Sequence, residues 1–196
     1  VSEEASAKSW GETVQKQVPN WLTFFRFLLV PIFVILMAQS GPTRSLWATL
    51  VFVTAALTDW LDGYLARLFK AESILGTVLD PLADKILVMA ALVMLAAMPQ
   101  SQVIPGWMVV VLLAREMVIT GLRALAALNH TVVPASNLAK HKTGWTFVAI
   151  VILLVGEPFK IGIAFHSLGM MALWVALLLS VISGFQYAYS LRRYYL

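Results

Sequence analysis

Long apolar runs alternate with short polar breaks along the whole chain. The runs extend from about Trp21 to Ala38, Leu46 to Leu68, Ile74 to Met98, Pro105 to Leu128, Leu138 to Val155 and Ile163 to Tyr189. The breaks are marked by Gly41-Pro42, by Pro99 and by Gly156-Glu157-Pro158, residues that end helices. A helix needs about 20 mostly apolar residues to cross a bilayer. Such a helix satisfies its own backbone hydrogen bonds where no water is present. The pattern predicts an all-α polytopic membrane protein with six transmembrane helices in one bundle. The bundle covers residues 20–196, preceded by a juxtamembrane segment over residues 1–19, and residues 1–196 form a single domain.

Composition agrees with the pattern. Of the 196 residues 60% are hydrophobic and 12% charged, against roughly 25% charged in soluble domains. The first twenty residues mix Glu and Lys and lack an apolar centre, so they do not read as a secretory signal. No cysteine is present, which excludes disulfides and thiolate metal sites. With six spans, one side of the membrane collects Lys8, Lys16, Arg26, Arg67, Lys70, Lys85, Arg115, Arg123, Lys140, Lys142, Arg192 and Arg193. The other side receives only Arg44 and Lys160. The positive-inside rule then places both termini in the cytoplasm, in the inner (cytoplasmic) membrane.

All of the aspartates, Asp59, Asp62, Asp80 and Asp84, fall within one stretch, TDWLDGYLARLFKAESILGTVLDPLADK. Asp59 and Asp62 are three apart and Asp80 and Asp84 four apart, so each pair shares one face of its helix. A short loop joins the second and third spans, which makes them antiparallel neighbours and lets the four carboxylates converge. Ionised carboxylates gathered in a low-dielectric site need counter-charge. Arg67, Lys70 and Lys85 are nearby, but divalent cations serve better, and an oxygen-only ligand set suits Mg²⁺ or Mn²⁺. Metal pairs bridged by carboxylates are a recurring device for displacement at phosphorus. Gly63 removes a side chain where a ligand must approach closely. The plainer reading, a polar cluster tying two helices together, stands beside this one.

The spacing Asp59-x2-Asp62-Gly63-x2-Ala66-Arg67-x8-Gly76-x3-Asp80-x3-Asp84 resembles, position for position, the motif of the CDP-alcohol phosphotransferases. The resemblance implies that Asp59, Asp62, Asp80 and Asp84 hold two Mg²⁺ or Mn²⁺ ions. It implies that Asp84 also acts as general base toward an acceptor hydroxyl attacking the β-phosphorus of a CDP-lipid. It gives Gly63, Arg67 and Ser73 to the nucleotide end. Pro19-Asn20-Trp21-Leu22-Thr23 with Arg26 is similar to the opening of the branch that makes phosphatidylglycerophosphate, which adds Asn20 and Thr23 to the CDP-lipid contacts. Ser73 reads equally as a helix N-cap, and Asn20 can serve as cap and ligand at once.

Arg115 and Arg123, eight residues apart, lie on roughly one face of the fourth helix, and Lys140 and Lys142 open the fifth. Arg grips phosphate through a bidentate fork and Lys as a point charge. A cationic pocket beside the metals suits an acceptor that carries its own phosphate. Glu116 is the candidate counter-charge for Arg115. Ordinary basic-loop contacts with anionic headgroups remain the plainer account of Lys140 and Lys142. AREMVITGLR and the K-x-K-T that follows are again similar to the phosphatidylglycerophosphate-forming branch. The resemblance therefore implies CDP-diacylglycerol and sn-glycerol 3-phosphate as substrates, a homodimer among membrane lipids, and no nucleic-acid partner. Alternative acceptors are phosphatidylglycerol, inositol phosphate and serine, and a divalent-cation transporter is the alternative of another class. His130, His141 and His166 share no helical spacing and read as loop or interface residues.

Overall fold

The structure, a computed structural model, describes residues 24–39, 42–69, 74–98, 104–128, 137–159 and 162–195. For some of these, including 59–69 and 74–84, the helical backbone alone is described. It contains α1 (Phe24–Ala38), α2 (Pro42–Phe69), α3 (Ile74–Ala97), α4 (Gly106–Leu128), α5 (Asn137–Phe159) and α6 (Gly162–Tyr195). No strand occurs among the described residues. The all-α expectation and its six helices are met. Within α6, Phe165–Arg192 is the one stretch among the described residues that is both long and apolar enough to cross a membrane.

Three helix ends depart from the sequence reading. α2 begins at Pro42, not near Leu46. Proline is well placed at the first helical position, because the N–H it lacks has no intrahelical acceptor there. α5 runs through Gly156-Glu157-Pro158 to Phe159, past the expected stop at Val155. Pro158 falls in the last turn, where only the bond to the carbonyl of Leu154 is lost. α6 continues to Tyr195, beyond the expected Tyr189. At 1.5 Å per residue its 34 residues reach about 51 Å, well over the ~30 Å of a hydrocarbon core.

The chain divides into two compact units, Val1–Ala91 and Leu92–Leu196, and α3 crosses the division. In the first unit, α1 buries Arg26, Leu29, Phe33 and Met37, at spacings of three and four, and α2 buries Ser45, Ala48, Thr49, Phe52 and Ala55. The rings of Phe33 and Phe52 meet with centroids 5.9 Å apart. The Thr49 hydroxyl, buried among apolar groups, donates to the carbonyl of Ser45 at 2.8 Å and so needs no outside partner.

In the second unit α5 and α6 form an antiparallel pair, with Gly156 against Phe165 and Leu153 against Gly169. α4 packs on α6 in the parallel sense: Trp107 meets Trp174 edge to face at 5.6 Å, and Arg123 lies over the ring of Tyr187 at 5.4 Å. The buried stripe of α6 is built mostly from small residues. Ala172, Ala176, Ser180 and Ser183 are nearly inaccessible, and Gly169 and Gly184 are buried with them. The opposite stripe, Leu168, Met171, Val175, Leu178, Ile182, Phe185 and Tyr189, is large, apolar and exposed. The helix thus turns its small and polar side inward and its bulky apolar side outward.

Gly169 allows the closest helix approach described. A Cβ there would come within 2.6 Å of the Leu153 Cγ and 2.7 Å of its Cδ2, atoms of a buried side chain. Gly169→Ala is expected to destabilise the protein by about 1–3 kcal/mol through this overpacking. Gly121 on α4 has nothing within 4 Å of an added Cβ. Gly121→Ala is expected to be neutral or stabilising by up to about 1 kcal/mol, since it only improves helix propensity. Thermal unfolding of the two variants side by side in one detergent checks the contrast.

Candidate active site

The acidic motif occupies the end of one helix and the start of the next in the chain. Asp59 and Asp62 lie in the C-terminal part of α2, with Gly63 and Arg67 after them, and Asp80 and Asp84 lie in the N-terminal part of α3. Both helices are continuous through these positions, so the spacings of three and four do put each pair on one helical face. The midpoint of the first pair is about 13 Å from the end of α2, and that of the second is about 12 Å from the start of α3, by helical rise. The connection between them is residues 70–73. Of the motif residues on α2 and α3 the backbone alone is described. Asn20, Thr23 and Ser73 lie outside the described residues.

Pro81 is a feature that sequence reasoning passed over, although it was visible as a proline inside an apolar run. It sits within α3 directly after Asp80 and cannot donate to the carbonyl of Thr77. Positions 77, 80 and 84 share one helical face. The helix therefore carries, beside its two carboxylates, a backbone oxygen that lacks its usual donor. Carboxylate and carbonyl oxygens form the donor set that hard divalent cations prefer, so the residues on these helices fit such ions. Among the described side chains no group of three or more His, Asp or Glu gathers, so none of those forms a rival cation site.

The cationic residues are described more fully. Arg115 projects from the middle of α4 onto α6. Its Nε donates to the carbonyl of Ser180 and its Nη2 to the hydroxyl of Ser183, both at 2.8 Å, while Nη1 donates to Glu116 Oε2 at 3.1 Å. The Ser183 hydroxyl in turn donates to the same Ser180 carbonyl at 3.1 Å. Gly184 makes room for this fork, since a Cβ there would stand 3.3 Å from Arg115 Nε. Lys142, in the second turn of α5, donates through Nζ to the same Glu116 Oε2. The expected Arg115–Glu116 pairing is present, and Glu116 ties two cations where one was foreseen. The side chains of Arg115, Glu116 and Lys142 are 12%, 23% and 13% exposed. The cluster is partly desolvated yet open at Glu116.

Arg123 stands two turns from Arg115 and, as its spacing predicts, faces the same neighbour, α6, where it rests on Tyr187. Lys140 lies in the first turn of α5, and its backbone alone is described. Ser180, Ser183 and Tyr187 went unnoticed in the sequence. Their only local signal is the run SVISG, two serines and a glycine amid bulky apolar residues.

A family profile for CDP-alcohol phosphatidyltransferases matches residues 16–182 and so runs across both units. A *Bacillus subtilis* protein named CDP-diacylglycerol–glycerol-3-phosphate 3-phosphatidyltransferase is 40% identical over 184 residues, covering 87% of this chain and 92% of its own. Proteins of the same name from *Rickettsia bellii* and *Sodalis glossinidius* are 34% and 37% identical, covering 93% and 91% of this chain and 99% and 97% of theirs.

The Arg115 fork predicts a stability effect that can be measured without substrate. Ser183→Ala removes the acceptor of Arg115 Nη2 and leaves a partly buried charge short of a partner. The expected loss is about 1–3 kcal/mol. Ser190→Ala serves as the control, because the exposed Ser190 hydroxyl bonds only to Gln186 of its own helix. It should shift unfolding by less than about 0.5 kcal/mol.

Proposed function

The chain belongs to the CDP-alcohol phosphatidyltransferase family, and on that footing we propose that it transfers the phosphatidyl group of CDP-diacylglycerol to sn-glycerol 3-phosphate, releasing CMP. The observation that carries this reading is the complete acidic motif from Asp59 to Asp84, with each carboxylate pair carried at helical spacing by α2 or α3. The names of the relatives described above support the same donor and acceptor.

Asp59, Asp62, Asp80 and Asp84 hold two divalent cations, Mg²⁺ or Mn²⁺. When bound, the ions neutralise charge on the pyrophosphate and on the departing CMP. Asp84 takes the proton of the acceptor hydroxyl as that oxygen forms its bond to the β-phosphorus and the bond to CMP breaks. Asn20, Thr23, Gly63, Arg67 and Ser73 hold the CDP end of the lipid. Arg115, Arg123, Lys140 and Lys142 hold the phosphate of the acceptor, for which a cationic set is the expected partner.

The protein works as a homodimer in the cytoplasmic membrane, with α1–α6 as its spans and both termini and the active site toward the cytoplasm. α6 supports a lipid setting: small residues line its packed face and large apolar ones its exposed face. Exposed Phe25, Leu28, Ile32 and Ile35 on α1, and Trp107, Val110, Val118 and Leu125 on α4, extend the same pattern. Chain entering water normally covers such faces.

The test is CMP release from CDP-diacylglycerol in mixed micelles with Mg²⁺ or Mn²⁺, across acceptors. Glycerol 3-phosphate should support turnover, and phosphatidylglycerol, inositol phosphate and serine should not. Silence with every acceptor rejects the enzyme reading, while turnover with inositol phosphate alone rejects only the acceptor. Asp84→Asn should lower turnover at least about a hundredfold, the usual contribution of a general base, and leave CDP binding within a few-fold of the parent.

A further inference from the structure

The cations assigned to the acceptor phosphate already carry an anion. One oxygen of Glu116, Oε2, accepts from both Arg115 Nη1 and Lys142 Nζ. Its carboxylate therefore stands where a phosphate oxygen bound to those two donors would stand. The two cations differ in what holds them. Arg115 is anchored on α6 by the Ser180 carbonyl and the Ser183 hydroxyl, so its guanidinium keeps its place whether or not Glu116 is present. The bond between Lys142 and Glu116 joins two helices, α5 and α4. Glu116 is the most exposed member of the three, so it lies on the side from which a solute would arrive.

We propose that Glu116 is a specificity-determining residue, an internal anion that occupies the acceptor's phosphate position until a dianionic phosphate displaces it. This rests on the acceptor assignment made above. Glu116 offsets one of the two positive charges that Arg115 and Lys142 bring. A phosphate dianion offers both cations a stronger partner than one carboxylate oxygen does. A neutral or zwitterionic alcohol offers no such exchange and leaves the carboxylate seated. The same residue that keeps two partly buried cations paired between turnovers thereby raises the threshold for acceptors without phosphate.

Removing the carboxylate takes from Arg115 and Lys142 the counter-charge they share, and an external anion restores what was lost. By linkage, anion binding must tighten. In Glu116→Gln the amide keeps the size of the side chain and drops its charge. The full chain in mixed micelles with CDP-diacylglycerol and Mn²⁺ is expected to show a KM for sn-glycerol 3-phosphate lowered about fivefold, with the change in KM exceeding any change in kcat. The second readout needs no turnover: the unfolding midpoint is followed against inorganic phosphate, with sodium chloride at matched ionic strength as the control. The phosphate concentration giving half the shift should fall by a similar factor. Glu116→Asp, whose carboxylate sits one methylene further from Lys142, should move both quantities the same way by less, and it guards against a glutamine variant that does not fold.

A KM that is unchanged or raised in both variants overturns the proposal and makes Glu116 a strut. So does a phosphate response identical to the parent's. Failure of the acceptor assignment looks different. The parent would then release no CMP with glycerol 3-phosphate, while the variants would still differ from it in their response to inorganic phosphate.

Discussion

A charge on an apolar helix is costly unless a counter-charge or a set of dipoles comes with it. Arg115 shows how this chain meets that condition. Its guanidinium is spread over a backbone carbonyl, a serine hydroxyl and a carboxylate, contributed by two helices. The carboxylate is then shared with a lysine from a third. The packing of the second unit follows from this arrangement. α6 receives the arginine fork where Gly184 leaves space for it and where Ser180 and Ser183 present oxygens one turn apart. α5 is tied to α4 at its N-terminal end by the same carboxylate. One polar cluster thus helps set the register of three helices whose other described contacts include many apolar, less directional ones.

The apolar contacts follow a second rule that complements the first. Between α5 and α6 the close approaches are made at glycine, Gly156 on one helix and Gly169 on the other. A large side chain of the other helix, Phe165 or Leu153, fills the space beside each glycine. Where there is no water to expel, helix association depends on contact distance and on hydrogen bonds, and small residues serve both. The serines and glycines of α6 allow close approach, and they also supply the oxygens that Arg115 requires. The sequence of that face is constrained twice over, and this accounts for the occurrence of SVISG in an otherwise bulky helix.

Much of this was legible in the sequence. Apolar run length gave six helices, and helical spacing gave the two carboxylate pairs, because both depend only on neighbours in the chain. The ends were less legible. Proline was read as a stop at Pro42 and Pro158, whereas the first turn and the last turn of a helix tolerate it. The polar tail of α6 was read as its end, although Ser190 to Tyr195 carry no helix breaker. The link from Arg115 to Ser180 and Ser183 spans 65 and 68 residues, and no local pattern announces it. Arg115 was legible as a residue in need of partners, and Glu116 as one of them. That Lys142 would claim the same oxygen depends on how α5 sits against α4, which periodicity cannot supply.

The two chemical centres on the chain also differ in how much of their meaning is local. The role proposed for the aspartates needs only a helix, a spacing and a turn, so a short motif suffices to carry it. The acceptor site we propose works through charge balance, and that balance would be set by residues distributed over α4 and α5. Arg115 and Lys142 taken alone describe a site with two positive charges that would take almost any anion. On the proposed assignment Glu116 offsets one of those two charges, and an entering anion has to outcompete a carboxylate already in place. A phosphomonoester does so through its second charge and its additional oxygens. Selectivity for such an acceptor then comes from the carboxylate that holds the position as much as from the cations that attract the newcomer.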